Sequence, residues 1–255
     1  MDDLSKLQPS ELKDFLDFKA LQYEQPSFIE TDPISLVHRF SKKEDIEIVG
    51  LLMATIAWGQ RKSIIKSGEK LLQILGAHPH EFVLNYQNNT CPDFTHRTFN
   101  RTDLNGFLMG LKACYQNGDL EKAFMTSSTE ANLYAHIGAF RNKFVPALEP
   151  RTYKHVADPS SGSAAKRLVM FLRWMVRSNA KGVDFGIWTT ISAAQLYVPL
   201  DVHTGNIARK LGLIQRTQND WKTNEELIEQ LRVFDPIDPA KYDFALFGLG
   251  AFENF

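Results

Sequence analysis

Cysteine is nearly missing from this chain: 255 residues hold only Cys91 and Cys114. Two thiols are too few for a four-cysteine zinc or iron–sulfur site. Their scarcity suits a reducing compartment, so both are read as free thiols. Apolar runs are short as well, none reaching the roughly 18 residues of a membrane span. The opening MDDLSKLQPSELKDF is charged and has no apolar h-region, which argues against a secretory leader. A cytoplasmic protein with no membrane partner is therefore expected. Strand alternation is equally scarce: Val/Ile/Tyr runs such as Leu196–Val198 are too brief to build a sheet. Neither an internal repeat nor a low-complexity tract stands out. A net charge of −1 does not by itself advertise a polyanionic partner.

What remains is helix. Hydrophobic residues make up 44% of the chain, enough to bury a substantial core in one large domain or two small ones sharing a cleft. Apolar positions recur at helical spacing after Ser10, from Asp45 to Trp58, from Arg61 to Leu75, and from a Thr102 cap to about Asn117. The same spacing continues over Thr129 to Val145, Ser163 to Ser178, Asp201 to Leu211, Thr223 to Phe234 and Pro239 to Leu249. The pattern predicts an all-α fold of about ten helices with short connections. One domain over 1–255 is expected, with a subdomain division near 149–162, where Pro150, Pro159 and Gly162 interrupt the pattern.

Charge is unevenly spread. From Arg151 to Lys222 there are eleven Lys/Arg against four Asp, so this stretch carries +7 and the rest −8. Such asymmetry suggests a basic face for nucleic acid.

Four segments carry candidate chemistry. In Ser163-Ala164-Ala165-Lys166-Arg167, Ser163 is expected to cap a helix and place Lys166 at its third position. A cation there opposes the helix dipole, and Arg167 adds like charge, so both favour a neutral, nucleophilic amine. Lys166, Met170, Arg173 and Arg177 share one face of that helix, which reads as a cleft wall. In Pro199-Leu200-Asp201-Val202-His203-Thr204, Asp201 stands at an N-cap, where backbone N–H groups hold a carboxylate ionised. In Tyr242-Asp243-Phe244-Ala245-Leu246-Phe247, Asp243 is costly to bury without partners, and Phe247 shares its face. In Ala57-Trp58-Gly59-Gln60, an aromatic ring and an amide at a helix junction suit a base pocket.

Together these segments resemble helix-hairpin-helix DNA glycosylases. Pro-Leu-Asp-Val-His-Thr followed by Ile207-Ala208-Arg209-Lys210-Leu211 is similar to that superfamily's signature around its catalytic aspartate. Gly162–Arg177 and the late Asp-Trp-Lys and Lys-Tyr-Asp-Phe-Ala-Leu stretches also resemble an uncharacterised bacterial family, a domain of unknown function. Within the superfamily the archaeal 8-oxoguanine glycosylases are most similar. That resemblance implies Lys166 as nucleophile and Asp201 as its acidic partner. It implies Gln60, Met170, Arg173, Asp243 and Phe247, with Trp58, around the base. Arg167, Arg177, His203 and Arg209 are the expected DNA contacts.

Two departures mark the chain. A Leu-Pro-Gly-Val-Gly type hairpin is missing, with Gly182-Val183-Asp184-Phe185-Gly186 its nearest substitute. The usual lysine position about eighteen residues before the aspartate holds Val183. The expected activity is a glycosylase and AP lyase on an oxidised purine in double-stranded DNA, acting as a monomer without metal or cofactor. The alternatives are a monofunctional alkylpurine glycosylase using Asp201 and water, and a non-catalytic helical nucleic-acid-binding protein.

Overall fold

The computed structural model describes residues 8–127, 132–253 and 255. It is all-α apart from one two-residue hairpin. In chain order the helices begin with α1 (Pro9–Tyr23), α2 (Pro26–Ile29), α3 (Ile34–Val37), α4 (Lys43–Ile56), α5 (Arg61–Leu75) and α6 (Pro79–Asn85). Strands β1 (Thr95–His96) and β2 (Phe99–Asn100) pair antiparallel, His96 opposite Phe99. Then come α7 (Arg101–Gln116), α8 (Leu120–Phe124), α9 (Leu133–Phe144), α10 (Lys166–Val176), α11 (Val202–Lys210), α12 (Trp221–Phe234) and α13 (Tyr242–Phe252). The helices beyond the expected ten are mostly short ones, too brief to register as periodicity. Among the described residues no helix is long and apolar enough to cross a membrane.

Side-chain caps fix the starts of α7, α8, α9, α11 and α12. Asn100, not Thr102, caps α7, its side chain accepting from the Thr102 and Asp103 N–H groups while Asp103 accepts from the Asn100 N–H. This reciprocal box satisfies donors that the first turn leaves open. The expected helix start at Thr129 lies outside the described residues, and α9 is capped by Asn132. Asp220 caps α12, two residues before the expected Thr223 start. Pro239–Lys241 form a 3₁₀ turn rather than the first turn of α13.

The chain forms two compact units, one from Met1–Phe28 with Pro159–Phe255, the other from Ile29–Asp158. The second unit is built on α4, whose residues from Asp45 to Ile56 are all buried, and on the aromatics Phe107, Phe124, Phe140 and Phe144. Phe124 and Phe140 stack with centroids 4.2 Å apart. In the first unit α1 lies along α13. Gly248 permits that approach, because a Cβ there would run into the Tyr23 ring. In the same unit α10 buries Leu168, Val169, Phe171, Leu172, Trp174 and Met175. At roughly 1.5–3 kcal/mol for each large apolar side chain, this face anchors α10 firmly. Its remaining face carries the charged residues.

Candidate active site

Lys166 is the first residue of α10, not the third. Its helix is preceded by Ala165 with φ of +48°, a left-handed conformation rare for a residue with a Cβ. Ser163 therefore does not cap the helix. Its hydroxyl accepts from the Ala165 N–H at 3.2 Å, and its backbone bridges to Asp220. The sharp turn at Ala165 directs the chain into α10 with Lys166 at the helix mouth.

Thirty-five positions later, Asp201 caps α11 as expected. Its Oδ1 accepts from the Thr204 N–H at 2.9 Å, and its Oδ2 accepts from Lys166 Nζ at 2.6 Å. Each carboxylate oxygen has one partner, so the aspartate is oriented from both sides. Burial alone would push its carboxyl up, but the Lys166 charge and hydrogen bond and the Thr204 N–H outweigh burial. The carboxyl lies below its ordinary value. Lys166 and Asp201 remain partly open to solvent, their side chains 37% and 26% exposed.

Arg173 stands two turns along α10 from Lys166 and is buried. It donates from Nη1 to Asp243 Oδ2, and its guanidinium carbon lies 4.5 Å from the Phe244 ring centroid. Asp243 is 6% exposed. Burial pushes its carboxyl above the usual range despite the Arg173 charge, with Asp201 adding to the upward push and Lys166 opposing it. Lys166, Asp201, Arg173 and Asp243 thus form one electrostatic group. Met170, one turn beyond Lys166, is half-buried. Phe247 is half-buried too and meets Phe28 and Phe252 edge-on, at 5.7 Å and 6.0 Å between centroids.

A family model described as "Protein of unknown function (DUF2400)" matches residues 32–252. The chain belongs to that family. The matched span contains Lys166, Asp201, Arg173 and Asp243. No curated protein and no solved structure matches the chain. The DUF2400 description supplies no activity, so the chemistry must be argued from the side chains.

Several expected contacts need correction. Arg177 is 3% exposed and holds Asp184 at 2.6 Å, Glu24 at 2.8 Å and Asp238 at 2.7 Å, so it is an internal counterion rather than a DNA contact. The cationic stripe of α10 is accordingly not an open wall, since Arg173 and Arg177 are both inside. Arg209 donates to the Arg216, Thr217 and Gln218 carbonyls and to Asn219 Oδ1, fixing the 216–219 loop. Arg167 is half-buried, and burial lowers its guanidinium to about 10. His203 is exposed on α11, where it lines a groove with Asn206 and Lys210. Gly182–Gly186 points Asp184 inward onto Arg177, and its Phe185 N–H bonds the Trp174 carbonyl at 2.8 Å.

Trp58 and Gln60 belong to the other unit. Gln60 is exposed and precedes α5 without a side-chain cap bond. Trp58 stacks on His155 at 5.8 Å and meets His96 edge-on at 5.0 Å, while its carbonyl faces His96 Nε2 at 3.1 Å.

Asp184, Glu24 and Asp238 escaped sequence reasoning. The available signal was Arg173 and Arg177, four apart in an otherwise apolar helix. Two guanidiniums buried there require carboxylates from elsewhere.

Proposed function

We propose that this protein is a DNA repair glycosylase with AP-lyase activity, excising an oxidised purine, 8-oxoguanine foremost, through a Schiff base on Lys166. The observation that carries this reading is the 2.6 Å approach of Lys166 Nζ to Asp201 Oδ2. A lysine at a helix mouth and an oriented, ionised aspartate are the two groups that such chemistry requires. The substrate is damaged double-stranded DNA, with the lesion base flipped out of the stack at a cost of a few kcal/mol.

The scheme balances in three steps. Nζ gives a proton to Asp201, and its lone pair attacks C1′ of the damaged nucleotide. The bond from C1′ to the base nitrogen breaks with its electron pair, and the base leaves with the proton that Asp201 received. Asp201, ionised again, stabilises the positive charge on the sugar. Opening of the sugar ring, with the ring oxygen taking a proton from Nζ, gives a Schiff base between C1′ and Nζ. Loss of a C2′ proton then expels the 3′ phosphate and cuts the strand. In this scheme Met170 and Phe247 pack against the base, and Asp243 and Arg173 read its edge.

A panel of lesion-bearing duplexes tests the reading. With borohydride present, hydride reduces the Schiff base to a stable amine, so wild type should form a covalent adduct with an 8-oxoguanine duplex. Lys166→Gln should form none and cut no strand while remaining folded. Base release without any adduct would shift the assignment to a monofunctional enzyme using Asp201 and water. Neither release nor adduct on any duplex would remove the glycosylase reading.

A further inference from the structure

The unit that holds Lys166 also contains a buried charge cluster of which the scheme above uses only Arg173 and Asp243. Arg173 and Arg177 both lie against Phe244, their guanidinium carbons 4.5 Å and 5.3 Å from its centroid. Both are about as buried as an apolar core residue. Asp184, itself 1% exposed, sits between them. Its Oδ2 accepts from Arg177 Nη1 at 2.6 Å, and its Oδ1 stands 3.4 Å from Arg173 Nε. Arg177 is fixed further by two hydrogen bonds from Nε and Nη2 to Asp238, at 2.9 Å and 2.7 Å, and by Glu24 at the end of α1. Arg173 uses Nη1 on Asp243. Arg177 is thus saturated by acids remote from Lys166, whereas Arg173 is shared between Asp184 and Asp243.

We propose that Asp184 is a positioning residue for Asp243. Its charge stands 3.4 Å from the Nε edge of Arg173, as an ion pair without a hydrogen bond, and Arg173 in turn binds Asp243 through Nη1. Its importance for catalysis rests on the glycosylase reading, but the positioning itself does not.

The physical argument is one of shared charge. A fully buried guanidinium that answers two carboxylates neutralises neither completely. The Asp184 charge draws on Arg173 and leaves Asp243 less compensated, in a place where burial already disfavours its ionised form. The charged groups facing Asp243 are Arg173 and Lys166 from α10 and Asp201 at the head of α11, with Asp184 one guanidinium away. Arg177, Glu24 and Asp238 lie behind Asp184. Deleting the Asp184 charge therefore lets Arg173 act more strongly on Asp243, whose carboxyl becomes easier to ionise.

The test is a carbon-13 titration of the aspartate carboxyls in the full chain, with no DNA present. The Asp243 signal is assigned by its loss in Asp243→Asn. In Asp184→Asn the Asp243 midpoint should fall by roughly one pH unit or more, as expected when an opposite charge is freed to act at contact distance. Asp184→Glu, which keeps the charge, should hold the midpoint near its wild-type value. Asp238→Asn, whose side chain bonds Arg177 rather than Arg173, should leave it unmoved. If Asp184→Asn does not fold, wild type suffices: the Asp184 signal should carry an inflection at the pH where Asp243 titrates. An Asp243 midpoint indifferent to Asp184→Asn, or an Asp184 signal flat through that range, would overturn the proposal and leave Asp184 a structural counterion. Because the titration needs no substrate, it stands or falls separately from glycosylase activity. If that activity is present, Asp184→Asn should also lower kcat more than it raises KM and shift the pH profile of kcat.

Discussion

Asp201 does two jobs with two oxygens. Oδ1 closes the first turn of α11, and Oδ2 meets Lys166. These roles separate in Asp201→Asn. An amide oxygen still accepts from the Thr204 N–H, and Asn is as good a cap as Asp, so stability should change by less than about 1 kcal/mol. The negative charge is lost, however, and base release should slow by about a hundredfold or more, the usual cost of removing one preorganised electrostatic stabiliser. Urea melts and single-turnover release read the two effects separately. The pH dependence has a definite sign. Because the folded-state carboxyl lies below its ordinary value of 3.8, the stability from this pair is complete above that value. It is lost as pH falls through the lower, folded value, so Asp201→Asn should flatten the acid limb of the stability curve and leave neutral pH little changed.

At the level of helices, α10 and α11 show why part of the site was legible. Asp201 follows Pro199 and opens a helical pattern, a combination that demands an N-cap, and the structure supplies one. Helical spacing likewise puts Lys166, Met170 and Arg173 on one face. The start of α10 was misread because Ser163 is a good cap by composition, while Ala165 carries no signal for a left-handed turn. That turn is imposed by tertiary contacts such as the Ser163–Asp220 bridge, which sequence periodicity cannot see. The fate of Arg177 was hidden for the same reason: its three acids come from α1, the 182–186 loop and the segment before α13. This gives a prediction for α10. Arg177→Met keeps much of the side-chain volume but strands Asp184, Glu24 and Asp238, so it should destabilise by about 3–5 kcal/mol, the cost of breaking a buried pair from one side. A change below about 1 kcal/mol in denaturant unfolding would mean that the cluster is not internal in solution.

For the whole molecule, the sequence's basic stretch must be recounted by exposure. Of its eleven cations, Arg173 and Arg177 are inside the first unit and Arg209 is tied to its own loop. Among the described residues of that unit the exposed cations are Lys181, Lys210 and Lys222. DNA affinity should still fall with salt, because each neutralised phosphate releases counterions. Neutralising an exposed lysine that contacts phosphate should reduce the slope of log affinity against log salt by about 0.9. Lys210→Gln, next to the His203 groove, is the first variant to measure, and a slope unchanged by all three lysines would place the phosphate contacts elsewhere.

The all-α class was readable from periodicity, and a division near 149–162 from Pro150, Pro159 and Gly162, but α1 joining the C-terminal half was not. The packing of α1 on α13 depends on Gly248 meeting Tyr23 across most of the chain. Membership of DUF2400 places the site residues in a family but attaches no reaction to them. The reaction is tested most directly by locating the trapped adduct. Wild type treated with borohydride and an 8-oxoguanine duplex, then digested to peptides, should carry the nucleotide mass on Lys166 alone. The same mass on any other lysine, or on the N-terminus, would contradict the account.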